Sequence, residues 1–173
     1  MPILIPVVDT GITLNEIPHR IAYYMEIGNC QAQCKGCHSP HLHTPVEPTP
    51  LEHLIADADH ALDTGANALL LMGGTTNGIA EADLIATINA LAELAPVGLY
   101  SGRADAAQDK ALAAQTDLTW LKTGDYRPTR GGLTDPRTNQ KFYRKEYEYT
   151  VNARGELVKA TPIFIDCTHE FRT

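Results

Sequence analysis

Three cysteines stand within one short stretch, Cys30-Gln-Ala-Gln-Cys34-Lys-Gly-Cys37, and a fourth, Cys167, lies far from them. Thiolates are soft ligands for zinc, copper and iron–sulfur clusters. In a reducing compartment such a group points to metal or redox chemistry rather than to structural disulfides. Three chemistries fit the residue types. Zinc takes four ligands, so the cysteines with His38, His41 or His43 would complete a tetrahedral site. Structural zinc sites more often use two paired clusters, and only one stands here. Cys34-Lys35-Gly36-Cys37-His38 also matches the short pattern for covalent haem attachment, which belongs mostly to exported proteins and leaves Cys30 without a role. An iron–sulfur cluster held by three thiolates is the third. One iron then stays open to another molecule, as catalytic metal sites keep a free position. Cys167 reads as a buried or incidental thiol. The three histidines read as solvated loop residues.

Other small or polar residues follow apolar runs. Gly73-Gly74 closes Ala68-Leu69-Leu70-Leu71-Met72. Glycines there let the backbone approach a ligand closely or simply make a tight turn. Ser101-Gly102 closes Val97-Gly98-Leu99-Tyr100. Ser101 donates to a ligand or caps the next helix. Asn139 and Gln140 order the later loop or touch a ligand or partner.

These residues need elements to position them. Ile21 to Ile27 reads as a buried strand running into the cysteine loop. Residues 38–50 carry three His and four Pro and read as irregular. Thr49-Pro50-Leu51-Glu52 predicts a helix start with a capping Thr, Pro at the first position and Glu three residues on. Leu51, Leu54, Ile55, Ala58 and Leu62 follow helical spacing. Gly65 is a natural stop. Residues 68–72 form a doubly covered strand. A helix over about 79–94, a strand over 97–100, a helix over about 105–115 and a strand over 118–122 follow. This alternation predicts parallel βα units, whose sites lie beyond the carboxyl ends of the strands. A full barrel takes about 250 residues. At 173 residues the expectation is one α/β domain, a truncated and open partial barrel over 1–122. Residues 123–173 would form a loop and a small β appendage, with strand-like content at Tyr143 to Val151 and at Pro162 to Ile165.

No run of about 18 apolar residues is present, which predicts no membrane span. The start of the sequence shows no basic segment of the kind that opens a signal peptide, so the expected location is cytoplasmic. The net charge of −7 argues against a nucleic-acid partner. Its distribution is uneven. Residues 1–121 hold 4 basic and 14 acidic residues, residues 122–145 hold 7 and 2, and the remainder hold 3 and 5. A basic segment on an acidic body reads as a docking face or as a solvated loop.

The cysteine spacing resembles the signature of the radical S-adenosylmethionine superfamily. Asn29 through Pro40, with Gly36 before the third cysteine and Ser39-Pro40 after it, is similar to the anaerobic ribonucleotide reductase activating proteins. Gly73-Gly74 matches that family's diglycine, and Tyr100-Ser101-Gly102 its later small-residue turn. Thr123-Gly124-Asp125-Tyr126-Arg127, Gly131-Gly132-Leu133 and Thr138-Asn139-Gln140 resemble its later stretch in the same order. The likeness spans about residues 20–145.

This resemblance implies a 4Fe-4S cluster on Cys30, Cys34 and Cys37, with S-adenosylmethionine chelating the open iron. Gly73, Gly74, Thr75, Ser101 and Gly102 would bind S-adenosylmethionine. Its reductive cleavage would leave methionine and a 5′-deoxyadenosyl radical, which takes a hydrogen from one backbone glycine of an anaerobic ribonucleotide reductase. The alternatives are activation of another glycyl-radical enzyme and, in a different class, a non-catalytic zinc-binding module. Many superfamily members carry an acidic residue after the diglycine to hold the amino group. Here Thr75-Thr76-Asn77 follows, with carbonyls or the Thr75 hydroxyl as substitutes. Arg127, Arg130, Arg137 and Lys141 would guide docking of the reductase, or of an acidic electron donor such as flavodoxin.

Overall fold

Four short apolar segments build the centre of the molecule. The structure, a computed structural model, describes residues 1–37 and 39–172. Among these residues are nine strands: β1 (Leu4–Ile5), β2 (Val7–Thr13), β3 (Ala22–Ile27), β4 (Thr49–Pro50), β5 (Ala68–Met72), β6 (Val97–Tyr100), β7 (Trp120–Thr123), β8 (Lys141–Val151) and β9 (Leu157–Asp166). They also hold three α-helices, α1 (Leu51–Asp63), α2 (Glu81–Ala92) and α3 (Ala106–Ala114). Single 3₁₀ turns occupy Pro40–His43 and Thr168–Arg172.

The α/β expectation holds. Seven strands form one mixed sheet in the order β2-β3-β5-β6-β7-β8-β9. The inner four, β3, β5, β6 and β7, are parallel, and β2, β8 and β9 join antiparallel. Tyr24, Leu70, Gly98 and Trp120 share one register row across the parallel strands. Each crossover between parallel strands carries one helix, as parallel pairing requires.

The two faces are covered differently. Leu54, Ala58 and Ala61 of α1, Leu84, Ile88 and Leu91 of α2, and Leu112 and Ala113 of α3 pack with Met25, Leu69, Leu71, Leu99 and Leu121 in one core. A second, smaller core on the other face joins Ala22, Ala68, Leu70, Trp120 and Phe142 to Ile17, Leu133 and Cys167. That face is covered by connecting segments, not by α1–α3.

Several local expectations meet their physical limits here. Thr49 does not cap α1, and Pro50 stands at the cap position, with no side-chain bond, rather than at the first helical position; both residues pair with Leu4 and Ile5. The Leu51 N–H donates to the Ile3 carbonyl at 2.9 Å, so the residue just before β1 satisfies a helix donor in place of the Thr hydroxyl. The third helix starts as its pattern suggests: the Asp105 carboxylate accepts from the Ala107 and Gln108 N–H groups. The segment expected as an appendage extends the main sheet, because β8 pairs with β7 along Trp120–Thr123. No helix among the described residues is long and apolar enough to cross a membrane.

Candidate functional site

The cysteine loop leaves β3 at Ile27 and is bent by three residues with positive φ: Asn29 at 56°, Gln33 at 48° and Gly36 at 68°. Left-handed non-glycine residues are costly and persist where the surroundings fix them. Here the fixings are visible. Asn29 Oδ1 accepts the Val46 N–H at 3.1 Å. The Cys30 N–H donates to the Leu42 carbonyl and the Gln31 N–H to the Thr76 carbonyl, both at 2.8 Å. His43 Nδ1 lies 3.0 Å from the Cys30 carbonyl. The Cys37 N–H closes a turn on the Cys34 carbonyl at 3.1 Å. Gly36 makes that turn, and a Cβ there would stand 3.0 Å from Pro128 Cγ.

Cys30, Cys34 and Cys37 are free and half-buried, and all three line one cavity of about 530 Å³. That volume falls in the roughly 300–1,000 Å³ range of ligand pockets. Two of the sulfurs have partners: Cys30 Sγ lies 3.5 Å from Thr76 Oγ1, and the Ser39 N–H donates to Cys37 Sγ at 3.3 Å. Among the described residues no group of three or more His, Cys, Asp or Glu side chains is set to hold a metal ion. The thiols thus share a cavity without being drawn to one point. His41 pairs with Glu26 at 2.8 Å, and His38 lies outside the described residues. Cys167 is elsewhere, buried in the second core, and burial pushes its thiol up.

The neighbouring strand ends supply the rest of the wall. Gly73, Ser101, Gly102 and Lys122 all line the cavity. Backbone bonds lace these ends together: the Gly73 N–H donates to the Tyr100 carbonyl at 3.0 Å, and the Ser101 N–H to the Lys122 carbonyl at 2.9 Å. The two glycines of the diglycine differ. Both have positive φ, 113° and 121°. Gly73 lines the cavity, where a Cβ would stand 3.2 Å from Ile27 Cβ and 3.3 Å from Asn77 Oδ1, whereas a Cβ on Gly74 would meet Leu84 Cδ1 of α2 at 2.9 Å. Gly74 therefore serves helix–strand packing. Thr75 is not a lining residue; its hydroxyl bonds Ser101 Oγ at 2.9 Å. Ser101 Oγ also accepts the Arg103 N–H at 3.2 Å, and Arg103 Nε reaches the buried Asp109 of α3 at 2.7 Å. Ser101 is a positioned cavity group, and Asp105 caps α3 in its place.

Two lining residues lie beyond the sequence reading. Asn77 is buried at 4% exposure and bonds three backbone groups around the diglycine. Lys122 is half-buried at the end of β7 and donates to the Ser101 carbonyl at 3.4 Å. Burial pushes its ammonium down to about 8, against the pull of Cys34, Glu16, Asp109 and Asp125. A lysine closing an otherwise apolar strand was the available signal. Gln140 lines the cavity and donates to the Gly124 carbonyl at 3.3 Å. Asn139 sits behind it, donating to the Asp125 carbonyl at 3.0 Å.

The basic segment does not form one field. Lys145 is buried and donates to the Ala113 and Thr116 carbonyls at the end of α3. Arg137 grips Asp135 through two nitrogens, at 3.1 and 2.9 Å, and holds that carboxyl down at about 2. Lys141 lies 3.5 Å from Asp166, and Arg127 3.3 Å from Asp125. Arg130 is exposed. Arg127 also lines a second cavity of about 760 Å³, with Lys35, Arg103 and Cys34. The two cavities share Ala32, Cys34, Thr76, Gly102 and Tyr126.

No protein-family model, no curated protein and no solved structure matches this chain.

Proposed function

We propose that this chain is a radical S-adenosylmethionine activase that generates a glycyl radical on an anaerobic ribonucleotide reductase. One observation carries the reading: Cys30, Cys34 and Cys37 line a single cavity with Gly73, Ser101 and Gly102. These are the residues that the family resemblance assigns to a 4Fe-4S cluster and to S-adenosylmethionine. They come from loops after β3, β5 and β6, at the carboxyl ends of parallel strands, where α/β folds place their chemistry.

The residues fit such a cluster in chemical type. Three free thiols supply the ligands, and two of them already have polar neighbours at sulfur, which tune an iron–sulfur centre. Bound there, a cluster with one open iron supplies one-electron reduction of the S-adenosylmethionine sulfonium. The chain's own task is to bind, orient and exclude water. Lys122 offers a cation to the methionine carboxylate. The Ser101 hydroxyl, fixed by Thr75 and by the Arg103 N–H, offers a hydrogen bond. Gly73 lets the strand end stand close to the ligand. Asn77, in place of an acidic residue, has both ends of its amide engaged with backbone, so the amino group would be met by carbonyls.

We read β3-α1-β5-α2-β6-α3-β7 as an open partial βα barrel. All three helices cover one face, as in a barrel, while a doubly wound sheet carries helices on both. The second cavity beside Cys34, at the carboxyl ends of the parallel strands, would receive the protein substrate. Arg127 and Arg130 would guide it or an acidic electron donor such as flavodoxin, with Arg137 and Lys141 contributing less because their charges are already partnered. We place the protein in the cytoplasm, where a cluster with an open iron meets reducing conditions.

Anaerobic reconstitution with iron and sulfide tests the reading. The expected result is about four irons per chain, reductive cleavage of S-adenosylmethionine, and a glycyl radical on the reductase. Stoichiometric zinc without visible charge-transfer absorbance would replace it with the zinc module. Cleavage with no radical on the reductase would move the substrate to another glycyl-radical enzyme.

A further inference from the structure

The wall of the 530 Å³ cavity divides in two. One part carries the thiols, Ser101 and Lys122. The other is made by Met72, Tyr100, Leu133 and Phe171, which pack together in the second core. Phe171 comes from the 3₁₀ turn Thr168–Arg172, which the β8–β9 hairpin carries back to the cavity.

That turn is fastened on both sides. The Cys167 N–H donates to the Phe142 carbonyl at 2.8 Å, and the Phe142 N–H to Thr168 Oγ1 at 3.0 Å. Asp166 Oδ1 accepts from the Thr168 N–H and hydroxyl at 2.9 and 2.6 Å. Arg172 Nη2 reaches the Asp135 carbonyl at 3.3 Å, which ties the turn to the loop bearing Leu133. The Phe171 ring meets Phe142 edge to face, with centroids 5.0 Å apart, and Phe142 meets Tyr100 in the same way at 6.5 Å. Phe171 is half-buried and held in place, with part of its surface open to the cavity.

A ligand with a zwitterionic end and a flat, weakly polar end suits this division. We propose that Phe171, supported by Leu133 and Met72, forms the wall against which the purine base of S-adenosylmethionine stacks. The proposal rests on the cofactor reading above. The base is the one large planar group of that ligand, and stacking a base on an aromatic side chain is favourable whatever its hydrogen-bond pattern. The methionine end carries full charges and belongs with Lys122 and Ser101. The hairpin and its turn thus complete the cofactor site.

The test uses reconstituted full-length protein and equilibrium dialysis with S-adenosylmethionine and, separately, with methionine. Phe171→Ala should lose roughly 10- to 100-fold in affinity for S-adenosylmethionine, the range of a base-stacking contact, and none for methionine. Phe171→Leu, which keeps most of the volume and removes the aromatic face, should behave likewise and serves if the alanine variant fails to fold. Phe171→Tyr should bind as the unaltered protein does. Unchanged S-adenosylmethionine binding in both the Ala and Leu variants overturns the proposal while leaving the cofactor reading intact. So does an equal loss for both ligands, which would make the ring structural. Reconstituted unaltered protein that binds neither ligand overturns the cofactor reading itself, and this inference with it.

Discussion

Asn77 Nδ2 donates to the Gly28 carbonyl at 2.6 Å, which joins the turn after β5 to the first residue of the cysteine loop. The same nitrogen reaches the Ile27 carbonyl at 2.9 Å, and Oδ1 accepts the Gly74 N–H at 2.7 Å. The position needs two donors and one acceptor, which an amide supplies and a carboxylate does not. Asn77→Ala leaves three buried backbone groups without partners and should cost about 1–3 kcal/mol. Asn77→Asp should cost more, about 3–5 kcal/mol, because a buried charge would face two carbonyl oxygens. Urea denaturation of the cluster-free chain measures both. An Asp variant as stable as the native chain would show that the site accepts an acidic residue after the diglycine.

Gly74 is predicted to matter before any ligand binds. Its φ of 121° disfavours a side chain, and Leu84 Cδ1 lies 2.9 Å from the missing Cβ. Gly74→Ala should destabilise the cluster-free chain by about 1–3 kcal/mol. Gly73→Ala shares the backbone penalty, but its cavity position adds a ligand effect. The discriminating measurement is S-adenosylmethionine affinity at a temperature where both variants are folded: Gly73→Ala weakens it and Gly74→Ala does not.

The fourth cysteine separates ligands from bystanders. Cys167 is 4% exposed in the second core and does not line the cavity. After anaerobic reconstitution, Cys167→Ala should keep the native iron content. Alanine at Cys30, Cys34 or Cys37 should lower it. Iron and sulfide analysis decides, and loss of iron in the Cys167 variant alone would move the cluster away from the loop.

The βα core was legible because its strands are apolar throughout and its helices repeat every three or four residues. Ala68 to Met72 and Val97 to Tyr100 are such cases. The thiol loop was legible from spacing, and the cavity it shares with Gly73 and Ser101 followed from strand order. What stayed hidden depends on long-range pairing. Val7–Thr13 mixes Asp and Gly into its strand and is held by register with β3. Thr49-Pro50 carries every local mark of a helix cap, yet β1 takes its backbone. Asn77, Lys122 and Phe171 carry no motif; each acquires its role from a partner about 20 to 50 residues away. Net charge misled in one respect: Lys145 counts as basic surface in the sequence and is an internal cap in the fold.

Lys122 gives a signed pH dependence. Burial pushes its ammonium down to about 8 in the folded chain, against 10.5 for an ordinary lysine. At neutral pH both states are protonated, and the folded state bears the cost of a buried charge. As pH rises past 8 the folded chain releases its proton before the unfolded chain does, so the unfolded state binds more protons and folding stability rises with pH. The gain accumulates between about 8 and 10.5. Lys122→Met removes it, so the native chain should gain stability relative to the variant as pH rises from about 7 to about 9.5. Urea midpoints of the cluster-free proteins at several pH values test this. A difference that stays constant would mean that solvent reaches the ammonium freely.

The docking face reduces to the arginines nearest the second cavity. Arg127 lines that cavity beside Cys34, and Arg130 is exposed three residues on. Arg137 is gripped by Asp135, so its charge is largely cancelled locally. Complementary charge acts mainly on association rate and is screened by salt. Arg127→Glu with Arg130→Glu should slow association with the reductase about tenfold at low ionic strength, within the range steering supplies. The effect should shrink at high salt. Arg137→Glu should slow it less. Partner-free cleavage of S-adenosylmethionine should survive in both variants. Stopped-flow association at two salt concentrations, run beside the cleavage assay, separates the cases. Parallel loss of binding and cleavage would assign Arg127 and Arg130 to the cofactor loop instead, through Pro128, whose ring would stand 3.0 Å from a Cβ placed on Gly36.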